Sequence, residues 1–258
     1  MSESIDFQKF INKLREEQAD RYLDSDKQLE LEYVEIARGR WEHAFRYLPH
    51  SSDTLKILDI GTSPFTFFLK DAYPHYEVAT VDKSNLLQTR CKARNIEFKI
   101  CDLNGDNIPY QDNYFDVVFF MAVLDRLCTS HSRVIKEIGR IMRPGGLLIL
   151  EVANFTRLLN RMKFLVGISP LPYADKQMNS ENLHGYTSIH EYTMKECIYL
   201  LSICNFTIGR KEFFTPSIFR HYRWRSNARY RILEMMHYMA CRMVPQFRGS
   251  IFVESHKP

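Results

Sequence analysis

Residues 55–68 read LKILDIGTSPFTFF. Leu55, Ile57, Leu58 and Ile60 form a short, nearly continuous apolar run, the pattern of a strand buried on both faces. Gly61 stands where the chain must turn, and a residue without Cβ takes the positive φ of such a turn and lets a ligand approach the backbone. Ser63 followed by Pro64 reads as an N-cap and the first residue of a helix. The start of that helix would present N–H groups to a carboxylate or a phosphate.

The same unit recurs downstream. Apolar strands are read at YEVATV (76–81), IEFKI (96–100), YFDVVFF (114–120) and GLLILEV (146–152), separated by helical stretches near 64–72, 84–94 and 131–142. Near-continuous strands alternating with helices build a parallel sheet covered on both faces, and right-handed crossovers make it doubly wound. Upstream, 5–19 and about 27–48 read as helices, with Phe7, Phe10, Ile11 and Leu14 at helical spacing; Pro49 and His50–Asp53 close this 1–52 extension. After Val152 the alternation stops. Residues 154–166 read as a basic helix, 167–192 as a loop or lid and 193–204 as a helix, so 153–192 forms a lid or substrate segment. Two further strands, 206–214 and 250–254, bring the sheet to seven. Between them lies a 215–249 insertion with a helix at 226–243. The expected architecture is α/β, a doubly wound, mostly parallel seven-stranded sheet over 53–258, with N-terminal helices and a helical insertion before the last strand.

Composition narrows the class. With 258 residues, 45% apolar and 26% charged, the chain is an ordinary globular one, long enough to bury a sizeable core, and disordered or low-complexity classes are excluded. The longest apolar run, Val117–Leu124, is too short to span a bilayer. The polar start MSESIDFQKF lacks the basic-then-apolar order of a signal peptide. The six cysteines make no CxxC pair and no metal-ligand spacing, so reduced thiols in the cytoplasm are expected rather than a disulfide framework or a structural metal. Net charge is +4, but residues 205–258 carry +7 and the remainder −3. A basic C-terminal part points to an anionic partner there or to a solvated basic face.

Ligands of doubly wound sheets bind at the carboxyl ends of the strands. The first such end holds Asp59, Gly61, Thr62 and Ser63. The second is VDKSN, where Asp82, about twenty residues past Gly61 and followed by Lys83, is placed to accept hydrogen bonds from ribose hydroxyls. The third is CDLNGD, with Asp102 and Leu103. The fourth follows FDVVFF with Met121, Ala122 and Asp125. The fifth strand is launched from the Pro144-Gly145-Gly146 turn.

These five segments, in this order over residues 53–152, resemble the class I S-adenosylmethionine-dependent methyltransferases, in particular those associated with bacterial surface-polysaccharide or small-molecule biosynthesis. The resemblance implies S-adenosyl-L-methionine as cofactor. It places Asp59, Gly61, Thr62 and Ser63 at the methionine part and Asp82 with Lys83 at the ribose. Asp102 would take the adenine amine, Leu103 the ring face, and Met121 and Ala122 would contribute backbone contacts. The chain departs from the family at the first loop, usually GxGxG, where Gly61-Thr62-Ser63-Pro64-Phe65 lacks two glycines. That departure also admits a degenerate cofactor-binding module. A dehydrogenase reading fails because Ser63 and Thr66 stand where GxGxxG needs glycine. Methylation of exocyclic base amines is disfavoured because MAVL replaces the usual Asn/Asp-Pro-Pro-aromatic segment.

Methyl transfer needs acceptor and methyl in line, and an alcohol acceptor benefits from a base. The flap after the fifth strand supplies His190 beside Glu191 as the catalytic candidates, since imidazole titrates near neutrality. Asp125, Tyr173, His184, Tyr186 and Tyr192 are the substrate-binding candidates. The expected reaction is O-methylation of a sugar, nucleotide-sugar, lipid-linked glycan or related small molecule, with a phosphorylated acceptor among the options. RNA methylation through Arg220, Arg223, Arg225, Arg229 and Arg231, interleaved with Tyr222, Trp224 and Tyr230, stands as the alternative, although nucleic acid is disfavoured. The segment 218–243 also has the composition for contact with the inner face of a membrane, or for packing and homodimerisation.

Overall fold

The computed structural model describes residues 12, 37–49, 52–171, 188–215 and 228–258. Its centre is a seven-stranded sheet in the order β3-β2-β1-β4-β5-β7-β6. The strands are β1 (Lys56–Ile60), β2 (Glu77–Asp82), β3 (Glu97–Ile100), β4 (Phe115–Met121), β5 (Met142–Ala153), β6 (Thr207–Phe214) and β7 (Ser250–His256). The first five are parallel, and β7 inserts antiparallel between β5 and β6. The strand order reverses between β1 and β4, which opens a crevice above their carboxyl ends.

Helices α1 (Pro64–Ala72), α2 (Gln88–Lys92), α3 (His131–Ile141), α4 (Leu158–Leu165), α5 (Met194–Ile203) and α6 (Ala228–Met243) surround the sheet. One face buries Leu58, Val118, Phe120, Leu148 and Leu150 against α3 and α5. The other buries Ile57, Phe119 and Ile149 against α1 and the N-terminal helical segment 37–44, which contributes Trp41 and Ala44. Alternate residues of the central strands β1, β4 and β5 thus serve opposite cores, which is why these strands read as continuous apolar runs.

Sequence expectation and structure differ at β5. The strand pairs from Met142, opposite Phe115, and residues 143–146 bulge out before Leu147 meets Val117. Gly145 takes φ +75° in that bulge. The helix expected over 84–94 is confined to Gln88–Lys92. The insertion helix is present as α6, whereas the 5–19 helix, apart from helical Asn12, lies outside the described residues.

Asn154, fully buried just past β5, ties the C-terminal elements together. Its Nδ2 donates to the carbonyls of Gln246 (2.9 Å) and Arg248 (2.6 Å), and its Oδ1 accepts from the backbone N–H and hydroxyl of Thr156 at the approach to α4.

Candidate active site

The β1–α1 turn is built without the second and third glycines of a GxGxG loop. Gly61 has φ +90°, and a Cβ there would lie 2.7 Å from Val123 Cγ2, so any side chain is strained and must displace Val123. Ser63 caps α1 through a reciprocal capping box: its Oγ accepts from Phe65 N–H at 3.2 Å and its own N–H donates to Thr66 Oγ1 at 3.1 Å. This corrects the expectation of free N–H groups at the helix start, because the loop's own side chains satisfy them. The Thr66 hydroxyl in turn donates to Asp59 Oδ2 at 2.5 Å. The departure from the glycine pattern therefore braces the first carboxylate from the helix it precedes.

Asp59 is fully buried, and burial pushes its carboxyl up to about 7, against the pull of the Thr66 hydrogen bond. No cationic side chain among the described residues pairs with it. Asp82, at the end of β2, is held by two backbone donors, Thr62 N–H to Oδ2 and Ser84 N–H to Oδ1, each at 2.9 Å. Partial burial raises its pKa, with these bonds opposing the rise. The Thr62 hydroxyl meets Thr80 Oγ1 at 2.9 Å, and Thr80 donates to Asp59 O, so the two strand ends are laced side to side. Lys83 is exposed beside them.

Two adenine-side candidates take different places. Asp102 is exposed and its Oδ1 accepts from Asn104 N–H and Nδ2. Leu103 is a correction: its side chain packs into the core and its carbonyl receives Arg133, so it offers little face to a ring. Met121 is half-buried at the end of β4, and Ala122 holds φ +53°, an uncommon conformation for a residue with a Cβ.

Beyond β4, Asp125 is 3% exposed. Its Oδ2 accepts the Ser188 hydroxyl at 2.5 Å, its carbonyl accepts Ile189 and His190 N–H, and its Oδ1 has no partner. The flap segment 188–190 is thus pinned to the strand end. Glu191 is a second correction. Its oxygens accept from Arg157 Nη2 and Asn160 Nδ2, each at 2.7 Å, so it anchors α4 rather than orienting His190. Tyr192 is a third: its ring is buried and its hydroxyl donates to His131 Nδ1, while His131 Nε2 donates to Leu127 O. That chain of bonds leaves no phenol for a substrate. His190 is exposed, with its ring 4.6 Å from that of Tyr192. Tyr173, His184 and Tyr186, and the Arg220–Arg225 cluster, lie outside the described residues.

Sequence reasoning missed Glu151. It is 1% exposed near the end of β5, with Oε1 3.4 Å from Arg40 Nε of the N-terminal segment and Oε2 unpartnered. Desolvation raises its pKa, Arg40 and the Ser250 hydroxyl pull it down, and the nearby charge of Asp125 pushes it up. An acid inside the apolar run GLLILEV was the available signal, since strands buried on both faces rarely carry one.

Residues 58–150 match a family model described as a methyltransferase domain. Among curated proteins, the chain is 24% identical over 122 residues to mouse "Probable tRNA methyltransferase 9B", covering 46% of this chain and 26% of that one. It is 32% identical over 146 residues to demethylmenaquinone methyltransferase of Geobacillus sp., covering 50% and 58%. The chain thus spans about a quarter to somewhat over half the length of these relatives. In fold, it superposes with a TM-score of 0.60, at 15% identity over 91% of this chain and 93% of the other, on a chain of the complex between the Haloferax volcanii Trm112 methyltransferase activator and a methyltransferase.

Sheet order and crevice define the doubly wound fold shared with these methyltransferase chains, and residues 58–150 match a methyltransferase domain, so S-adenosylmethionine is the cofactor to set against the crevice. The crevice fits that cofactor on its own chemistry. Asp82 presents a fixed carboxylate for ribose hydroxyls, Gly61 admits close backbone approach, and buried Asp59 lacks the positive charge that the cofactor's ammonium carries.

Proposed function

We propose that the chain transfers a methyl group to a hydroxyl of a sugar, nucleotide-sugar, lipid-linked glycan or related small molecule. The carrying observation is the buried, unpartnered Oδ1 of Asp125 at the carboxyl end of β4. An ionised carboxylate only accepts hydrogen bonds. A buried acceptor without a donor costs about 1–3 kcal/mol, which a ligand hydroxyl would remove. Glu151 Oε2, near the end of β5, is likewise buried without a hydrogen-bond partner.

S-adenosylmethionine, when bound, supplies an electrophilic methyl on a sulfonium. This chain's residues then have three tasks. Asp59, Gly61 and Asp82 hold the cofactor. Asp125, with Oδ2 fixed by Ser188, orients the acceptor hydroxyl and receives its proton at Oδ1. The 188–192 segment, pinned through the Asp125 carbonyl and the Asn154–Tyr192 bridge, limits water at the mouth, and exposed His190 takes the proton on to solvent in this reading.

The test is methyl transfer from radiolabelled cofactor into separated pools of lipid extract, nucleotide-sugars, soluble glycan and tRNA. Base-stable label in a glycan, nucleotide-sugar or lipid-linked glycan pool, lost in Asp125→Asn, is the expected result. Label confined to tRNA overturns the reading.

A further inference from the structure

Helix α6 turns its apolar stripe outward. At 100° per residue, Ile232, Met235, Met236, Met239 and Met243 fall on one side, and all are more than half exposed; Met243 is 75% exposed. Cys241, on the opposite side, is buried against the body, where its thiol meets Phe247 O. An ordinary surface helix has the reverse arrangement. Helix α4 and the turn after it add Leu159, Met162, Phe164, Leu165, Val166 and Ile168, also exposed, with Leu165 at 86%. Both helices pack on the 3₁₀ turn Pro245–Phe247; on the α4 side Phe247, Met162 and Leu165 line a groove of about 510 Å³, and the Arg161 guanidinium lies over the Phe247 ring. Monomeric proteins seldom leave so many large apolar side chains in water on neighbouring elements.

The occupant is decided by charge. The stretches 158–168 and 228–243 carry Arg161, Lys163, Arg229, Arg231 and Arg242 against a single acid, Glu234. A second copy placed on this face would bring like charges together, whereas nucleic acid would meet the charges but leave the methionine and aliphatic side chains in water. Exposed apolar side chains in segments this rich in Arg and Lys match the boundary between acyl chains and anionic headgroups. No described helix is long and apolar enough to cross a membrane. We infer that the α4–α6 face docks the protein on an anionic lipid surface. This inference is independent of which acceptor is methylated.

The test is co-sedimentation of the full chain with phosphatidylcholine vesicles, with and without phosphatidylglycerol, using wild type, Leu165→Glu and Met236→Glu/Met239→Glu. These side chains are already exposed, so folding and affinity for S-adenosylhomocysteine serve as controls that should not move. Expected is binding to the phosphatidylglycerol vesicles that weakens with salt and falls roughly tenfold or more in each variant. Absence of binding, or binding that both variants retain, overturns the inference. So does a dimer in sedimentation equilibrium that the substitutions dissolve while vesicle binding is absent, since the face then belongs to a second copy.

Discussion

Replacing Asp59 by asparagine tests the most perturbed group in the crevice. The amide keeps the shape and can still accept the Thr66 hydroxyl, but it cannot ionise. Burial moves the Asp59 carboxyl from 3.8 to about 7. Between those values the native chain holds a proton that the unfolded chain has lost, so stability falls as pH rises, and the penalty is complete above about pH 7. At about 1.4 kcal/mol per pH unit the full penalty is about 4 kcal/mol. At pH 8 nearly all of it is present; at pH 5 only about 2 kcal/mol remains, because the unfolded carboxyl is already ionised while the native one is protonated. The Asp59→Asn substitution exchanges one acceptor oxygen for a donor, a pH-independent cost of about 1 kcal/mol. The advantage of the variant should therefore grow by about 2–3 kcal/mol from pH 5 to pH 8. Urea unfolding of both proteins at the two pH values reads this directly. An advantage that is the same at both, within about 0.5 kcal/mol, refutes the buried-acid reasoning. The same substitution should weaken S-adenosylhomocysteine binding, and wild-type affinity should fall as pH drops below about 7, where Asp59 takes up its proton.

Asp82→Ala should weaken cofactor binding by about 1–3 kcal/mol in isothermal titration, the cost of leaving hydroxyl partners unmatched; unchanged affinity removes the ribose assignment. Gly61→Ala places a Cβ 2.7 Å from Val123 Cγ2 at φ +90° and should cost about 2 kcal/mol or more of stability in urea unfolding. Combining it with Val123→Ala should recover the steric part only. Asp125→Asn should lower turnover by about two orders of magnitude or more with cofactor affinity intact, and a loss of less than tenfold would assign Asp125 to positioning alone. Glu191→Gln should cost about 1–3 kcal/mol in thermal or urea unfolding, through Arg157 and Asn160, rather than abolish turnover.

The sheet was legible because the central strands β1, β4 and β5 are apolar on both faces and the first crossover helix begins with its own punctuation, Ser63-Pro64. The cofactor crevice was legible for the same reason: Gly61 and Asp82 follow strands whose ends topology brings together. Contacts across long stretches of chain left no local trace. Glu191 beside His190 in sequence is bonded to residues 34 and 31 positions earlier, and Asp125 meets Ser188 across 63. Tyr192, a plausible substrate contact by composition, is consumed by His131 from another helix. The outward stripe of α6 shows a further limit: periodicity identifies an apolar side of a helix, but only tertiary placement says whether it faces the body or the surroundings.

The buried amide of Asn154 joins the end of β5, the entry to α4 and the turn that follows α6 through four short bonds. Such a junction has no slack. If the greasy side rests on a bilayer, the height and tilt of the reaction crevice above the lipid are set by this bracket rather than by a tether. An acceptor embedded by its tail would then need a spacer of matching length between anchor and reactive hydroxyl, so selection by reach would operate before any recognition of the sugar itself.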